Sequence, residues 1–312
     1  MESCGWGGGF VENRVVTVLR VATCQFPVSA DVQRNAGWVI AQMEEAARLG
    51  ARVAHFPEGA LSGYAGVDFE GFGGFDWGAL DRVTERVRGR AAELGIWVVA
   101  GSAHRFSGVS APHNSLFVIG DGGEVVARYD KRFLGGTDLD HYSPGNHFST
   151  WDIDGIRCGA LICYDYRFPE LYRQYVTLGV QVMFHSFHAG NASAERVAAI
   201  GAAIGDEYAA LNPAATFTYP GITMPAVMTA SAACNNVWIS CPNRSAPESL
   251  WPAFFVRSDG VTIGRLERNV PGVLISAVDT EQELYDSTGP WRQRAIAGIL
   301  YSGELAEDDC GD

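Results

Sequence analysis

The sequence has no continuous apolar run at its start, no regular cysteine spacing, no glycine- or proline-rich linker and little positive charge. Each absence removes a class of protein. The opening "MESCGWGGGFVENR" has an early acidic residue and no apolar core, so it reads as a flexible extension over residues 1–13 rather than a signal peptide or membrane anchor. The seven cysteines are an odd, scattered set, which fits neither a disulfide framework nor a zinc site. Reduced thiols and a cytoplasmic location are the expectation. With 23 Lys and Arg against 36 Asp and Glu, the formal net charge of −13 speaks against nucleic acid and anionic membranes as partners. A small molecule or another protein is expected instead. The 13 prolines and 37 glycines are spread along the chain, so residues 14–300 read as one domain, followed by an acidic tail over 301–312 in which Cys310 is a solvated bystander.

What is present alternates between strand-like and helix-like segments. "VVTVLRVATCQF", "ARVAHF", "IWVVAGSA", "IRCGALIC", "VQVMFHSF" and "VWISCPN" read as strands, and several are apolar on both faces. The segment beginning at Trp77 places Leu80, Val83, Val87, Ala91 and Leu94 at helical spacing ahead of a Gly95 stop. Two hairpins are legible, one turning on "GDGG" and one pairing "WPAFFVRSDG" with "VTIGRLERN". Strand–helix–strand units together with hairpins imply an α/β fold of mixed sheets with helices outside, and strands buried on both faces imply sheet packed on sheet.

Three chemically useful residues follow apolar strand runs: Glu58 after "RVAHFP", Lys131 after "EVVARYD" and Cys163 after "GALI". Ligand chemistry in α/β sheets collects beyond the carboxyl ends of strands, so the three are candidates for one pocket. A thiol attacks as its thiolate, a form favoured by a nearby ammonium and by the N-terminus of the helix starting near Phe168–Pro169. Glu58 is suited to take the thiol proton, hand it to a leaving amine and later activate water. Lys131, together with a backbone N–H following the cysteine, is suited to stabilise a tetrahedral oxyanion. Such a trio would cleave an amide-like C–N bond. Spacing alone does not establish it.

The three motifs "FPEGALSGY", "GEVVARYDKRFL" and "GALICYDYRFPELYR", in this order, resemble those of the nitrilase superfamily, the carbon–nitrogen hydrolases, and the likeness runs from about Arg14 to about Asp279. The resemblance implies a four-layer αββα sandwich, a Glu–Lys–Cys catalytic triad at Glu58, Lys131 and Cys163, a thioester intermediate, no cofactor or metal, and pairing into homodimers or larger assemblies. It also implies a further acidic residue in the loop after the lysine. Counting six residues back from Pro144 gives Asp138, with Asp140 close behind, and which of them acts is left open. Tyr164-Asp165 after the cysteine is similar to the amidase and carbamoylase branches, where nitrilases carry Trp-Glu, so a small amide or N-carbamoyl substrate is favoured over a nitrile. Acyl transfer by the same triad, and a non-catalytic interaction scaffold, are the alternatives.

Five more residues are candidates for substrate binding. Arg167, four past the cysteine, resembles a carboxylate-holding position in some carbamoylases, an arginine fork matching carboxylate geometry, although a structural ion pair explains it as well. Tyr64 ends the "LSGY" motif, Tyr164 adjoins the cysteine, and His185 with His188 stands where relatives have small or proline-rich residues. No third ligand has convincing spacing for a metal with these histidines. Residues 190–222 look like an elaborated segment over the pocket mouth. Cys24, Cys234 and Cys241 are expected to be small core residues, and Trp77, Trp151 and Trp251 to lie in the core.

Overall fold

The computed structural model describes residues 18–106, 111–189, 219–247 and 249–305, with isolated positions at 195, 198, 199 and 202. The expectations for residues 1–13 and for most of 190–222 therefore lie outside the described residues.

The chain begins with β1 (Val18–Phe26), α1 (Val32–Arg48), β2 (Val53–His55), α2 (Trp77–Leu94) and β3 (Trp97–His104). These are two strand–helix–strand crossovers, and β1, β2 and β3 accordingly pair in parallel. Asp31 caps α1 by accepting from the N–H groups of Gln33 and Arg34, and Gly95, in the left-handed conformation at φ 62°, ends α2 as its sequence position predicts. The hairpin around "GDGG" is β4 (His113–Ile119) with β5 (Val125–Asp130), antiparallel and extending the sheet beyond β3.

The second sheet grows from β6 (Thr150–Ile153), β7 (Ile156–Ile162), α3 (Pro169–Thr177), β8 (Val182–Ser186), α4 (Tyr219–Asn235) and β9 (Trp238–Cys241). It continues through β11 (Phe254–Val256) and β12 (Thr262–Arg265), the second expected hairpin, in the order β12-β11-β9-β8-β7-β6. The short β10 (Asn243–Arg244) and the last strand, β13 (Gly272–Asp279), both join β1 in the first sheet. A final helix, α5 (Gly289–Ile296), buries no residue.

Layering follows from strand alternation, since neighbouring side chains leave a strand on opposite faces. Val21, Val53 and Val99 face the second sheet and share a core with Cys158, Ile162, Val182 and Phe184. Their neighbours Ala22, Ala54 and Val98 face α1 and α2. On the far side, α4 packs against α3 and onto β9 and β11. The architecture is the expected four-layer αββα sandwich of two mixed β-sheets. Of the expected core residues, Cys24, Cys241, Trp151 and Trp251 are buried, and Trp77 is half-buried against Phe72. Cys234 is a correction: it is exposed, because it lies on the α4 face turned away from the sheet.

One polar chain crosses the dry interface between the sheets. Ser186 Oγ donates to the Phe56 carbonyl at 2.8 Å, so it accepts from His55 Nε2. His55 Nδ1 then carries no proton and accepts from Ser240 Oγ, which in turn accepts from Thr23 Oγ1 at 2.7 Å. Burial pushes His55 well below its ordinary value, with His185 adding to the effect, so this imidazole is neutral.

Candidate active site

Each member of the expected trio stands where a strand gives way to a turn. Glu58 follows β2, and its N–H donates to the Phe187 carbonyl just after β8, which ties the two sheets together at this end. The turn carrying Glu58 lies so close over β3 that a Cβ on Gly101 would strike Pro57 O, Gly59 N and Glu58 Cα. Lys131 follows β5, its N–H held by the Asn114 carbonyl of β4. Cys163 is the first residue after β7 and has φ 41°, an uncommon value for a residue with a side chain. It opens a 3₁₀ turn, Cys163–Arg167.

Lys131 is buried, and its ammonium donates to Glu58 Oε1 at 2.9 Å, to Asp138 Oδ2 at 2.8 Å and to Tyr64 OH at 3.1 Å. Burial alone would lower its pKa. Glu58 first, then Tyr64, Cys163 and Asp138, overcome that and hold it well above the ordinary lysine value, so Lys131 is a fixed cation. Asp138 is the acidic residue that reaches the cluster. Its Oδ1 accepts from Tyr64 OH at 2.6 Å and its Oδ2 also from the Gly135 N–H, whereas Asp140 is exposed.

Cys163 has the opposite balance. Burial raises the Cys163 thiol well above its ordinary value, and Glu58 and Asp138 push the same way. Lys131 and a hydrogen bond from the His188 backbone N–H pull it down without cancelling the rise. One ammonium among two carboxylates cannot hold a third anion cheaply. Burial and the two carboxylates thus favour the thiol form, against the thiolate expected from Lys131 and the helix N-terminus.

The other sequence candidates separate. Tyr64 is part of the Lys131–Asp138 cluster. Tyr164 is exposed and lies against Gly135 in the loop between those two residues. His185 is a correction. Strand alternation turns it toward α3, where its Nε2 donates to the Cys163 carbonyl at 3.1 Å and its Nδ1 accepts from Tyr172 OH at 2.6 Å. Buried and stacked on Phe187, with a pKa lowered by burial to about 3, it supports the nucleophile's backbone from behind. Arg167 is also displaced: it is exposed, its guanidinium lies over the Tyr166 ring at 4.7 Å, and it lines a groove between α3 and α4 with Glu170, Arg173 and Cys234. In a 3₁₀ turn residue i+3 returns to the starting face, so a side chain four residues on leaves in another direction.

Four further residues join the cluster: Asn114 and Asp68 were not singled out in the sequence, and Asp165 and His188 were named without these contacts. Asn114 Nδ2 donates to Glu58 Oε1 at 2.7 Å. Asp165 accepts from the Phe133 N–H, Tyr129 OH and the Ile162 N–H, which joins the cysteine turn to the lysine loop. Burial raises its pKa to about 6. His188 is buried, stacks on Tyr64 at 5.0 Å and meets Asp68 Oδ2 through Nε2 at 3.0 Å. Asp68 in turn accepts from the Tyr64 N–H and pairs with Arg244 at 3.3 Å. One composition signal went unused: Lys131 is the single lysine among 312 residues and 23 basic side chains.

Among the described residues no group of His, Cys, Asp or Glu could hold a metal ion, and no helix is long and apolar enough to cross a membrane.

Comparison with known proteins gives a consistent result. The carbon-nitrogen hydrolase family model matches residues 20–284. The chain is 29% identical over 179 residues to the human protein Omega-amidase NIT2, a match covering 54% of this chain and 63% of that protein. It is 31% identical over 124 residues to the 2-oxoglutaramate amidase of Bacillus subtilis, covering 36% and 47%. The match to Nitrilase homolog 2 of Dictyostelium discoideum is 28% over 178 residues, covering 54% and 53%. The chain thus spans about half to three-fifths of the length of these relatives. In fold it is similar to an amidase from Nesterenkonia sp., with a TM-score of 0.68 at 22% identity over 90% of this chain and 96% of that one. With the family model covering most of the described fold, this chain belongs to the carbon–nitrogen hydrolase family.

Proposed function

We propose that the chain hydrolyses the C–N bond of a small amide or N-carbamoyl substrate through a thioester on Cys163. The observation that carries this reading is the buried Lys131 ammonium, 2.9 Å from Glu58 and 2.8 Å from Asp138, beside a thiol held at a strained strand end. Relatives named for amide hydrolysis support it.

With the Cys163 thiol favoured over its thiolate, attack and deprotonation are coupled. As Sγ bonds to the carbonyl carbon, its proton passes to Glu58 and the carbonyl π electrons move onto oxygen. Lys131, aided by the backbone N–H of Tyr164, stabilises that oxyanion. Its collapse breaks the C–N bond, and the nitrogen leaves as ammonia or an amine carrying the Glu58 proton. Water then attacks the thioester and gives its proton to Glu58. The second intermediate expels the cysteine sulfur, which regains a proton from Glu58, and the acid departs. Asp138 and Tyr64 hold the Lys131 ammonium in place through this cycle. The same reading carries self-association and a cytoplasmic setting.

Cys163→Ala should abolish ammonia release from a panel of amides and N-carbamoyl amino acids while leaving the unfolding transition in place. Rapidly quenched wild-type enzyme should show an acyl adduct on the Cys163 peptide by mass spectrometry. Turnover by Cys163→Ala at the wild-type rate would sink the mechanism.

A further inference from the structure

Two hydrogen-bonding atoms beside the nucleophile are shut off from solvent without a partner: Glu58 Oε2 and His188 Nδ1. A buried polar atom left unpaired costs roughly 1–3 kcal/mol, so two in one place mark a site built for something that brings donors. His188 is held from three directions. Its Nε2 meets Asp68, its ring lies on Tyr64 with planes 19° apart, and its backbone N–H points at the Cys163 sulfur. Asp68 accepts from Nε2–H, so in the neutral ring the proton sits on Nε2 and Nδ1 carries the lone pair. Nδ1 is bonded to Cγ, the ring atom next to the backbone that reaches the thiol. Nδ1 thus lies on the ring edge away from the Asp68 contact, in a residue whose backbone N–H reaches the Cys163 sulfur.

We propose that His188 Nδ1, oriented by Asp68, is a substrate-reading acceptor that takes an N–H of the scissile amide while Glu58 Oε2 faces the other side of the same nitrogen. This rests on the amide-hydrolase reading above and narrows it to substrates whose leaving nitrogen carries hydrogen: primary amides and N-carbamoyl groups with a free NH₂. A planar NH₂ offers two donors, and the site offers two unpaired acceptors. Esters of the same acyl group offer none. The acceptor also favours the productive pose, since a nitrogen held between Nδ1 and Oε2 lies where Glu58 must later deliver its proton.

The test compares an amide and the methyl ester of the same acid in the wild type, His188→Ala and His188→Gln. Glutamine keeps a donor toward Asp68 and removes the nitrogen at Nδ1, so it separates substrate reading from a packing role. The amide-to-ester ratio of kcat/KM should fall about tenfold in both variants, whatever loss the two substrates share, as expected for one lost hydrogen bond. An unchanged ratio in the two variants overturns this inference and leaves the hydrolase reading intact. A wild type that turns over neither compound overturns the hydrolase reading and this inference with it.

Discussion

Cys163 sits among one ammonium and two carboxylates, and the sign of its response to each neighbour can be worked out. Glu58 raises the thiol's pKa, so removing that charge lowers it and enlarges the thiolate fraction at neutral pH. Glu58→Gln should therefore alkylate faster with iodoacetamide at Cys163 near pH 7.5 while losing turnover, because the charge that suppresses the thiolate is also the proton acceptor the reaction needs. In the wild type the alkylation rate should keep climbing past the pH at which an ordinary cysteine levels off. Both are read by mass spectrometry of the Cys163 peptide, with exposed Cys234 as internal reference. A slower reaction in Glu58→Gln would mean that Glu58 helps the thiol ionise, as its proton acceptor, more than its charge suppresses the thiolate.

At the scale of elements, the site is a set of turns pinned to one another. Asp165 joins the turn after β7 to the loop after β5 through three accepted hydrogen bonds at 2.8–3.1 Å. Asp165→Ala leaves two backbone N–H groups and a tyrosine hydroxyl without this partner, which should cost about 3–5 kcal/mol in urea unfolding and reduce kcat by moving Cys163 and Lys131 together. Asp165→Asn, which keeps an acceptor, should lose less on both counts. Element logic also explains what could be read from the sequence. Glu58, Lys131 and Cys163 each adjoin an apolar strand run, so pattern alone put them at strand ends, and the two hairpins and the Gly95 helix stop lie where turn chemistry requires. Asn114, Asp68 and His188 reach the site through pairing register and loop packing, which depend on residues far away in the chain. Arg167, taken from a resemblance, and His185, taken from a departure from relatives, show the same limit: neither argument fixes the face on which a side chain leaves a 3₁₀ turn or a strand.

For the whole molecule, the decisive fact is that the cluster draws on both sheets. Glu58 and Lys131 come from the first and Cys163 from the second, while the Thr23–Ser240–His55–Ser186 chain fixes how one sheet sits on the other. Loss of that registry takes the site apart, and the sequence supplies a reporter for it. A lysine-specific endoproteinase should leave the native domain uncut and, on unfolding, cleave once to give fragments 1–131 and 132–312. Cleavage at low denaturant then measures the free energy of opening at the Lys131 cluster itself. A cut made at an equal rate in native buffer would contradict the burial of Lys131. The same scarcity has a chemical corollary. Acylating and reductive-alkylation reagents find no lysine on the surface of the described residues, so the buried Lys131 ammonium is a side chain they reach only when the fold gives way.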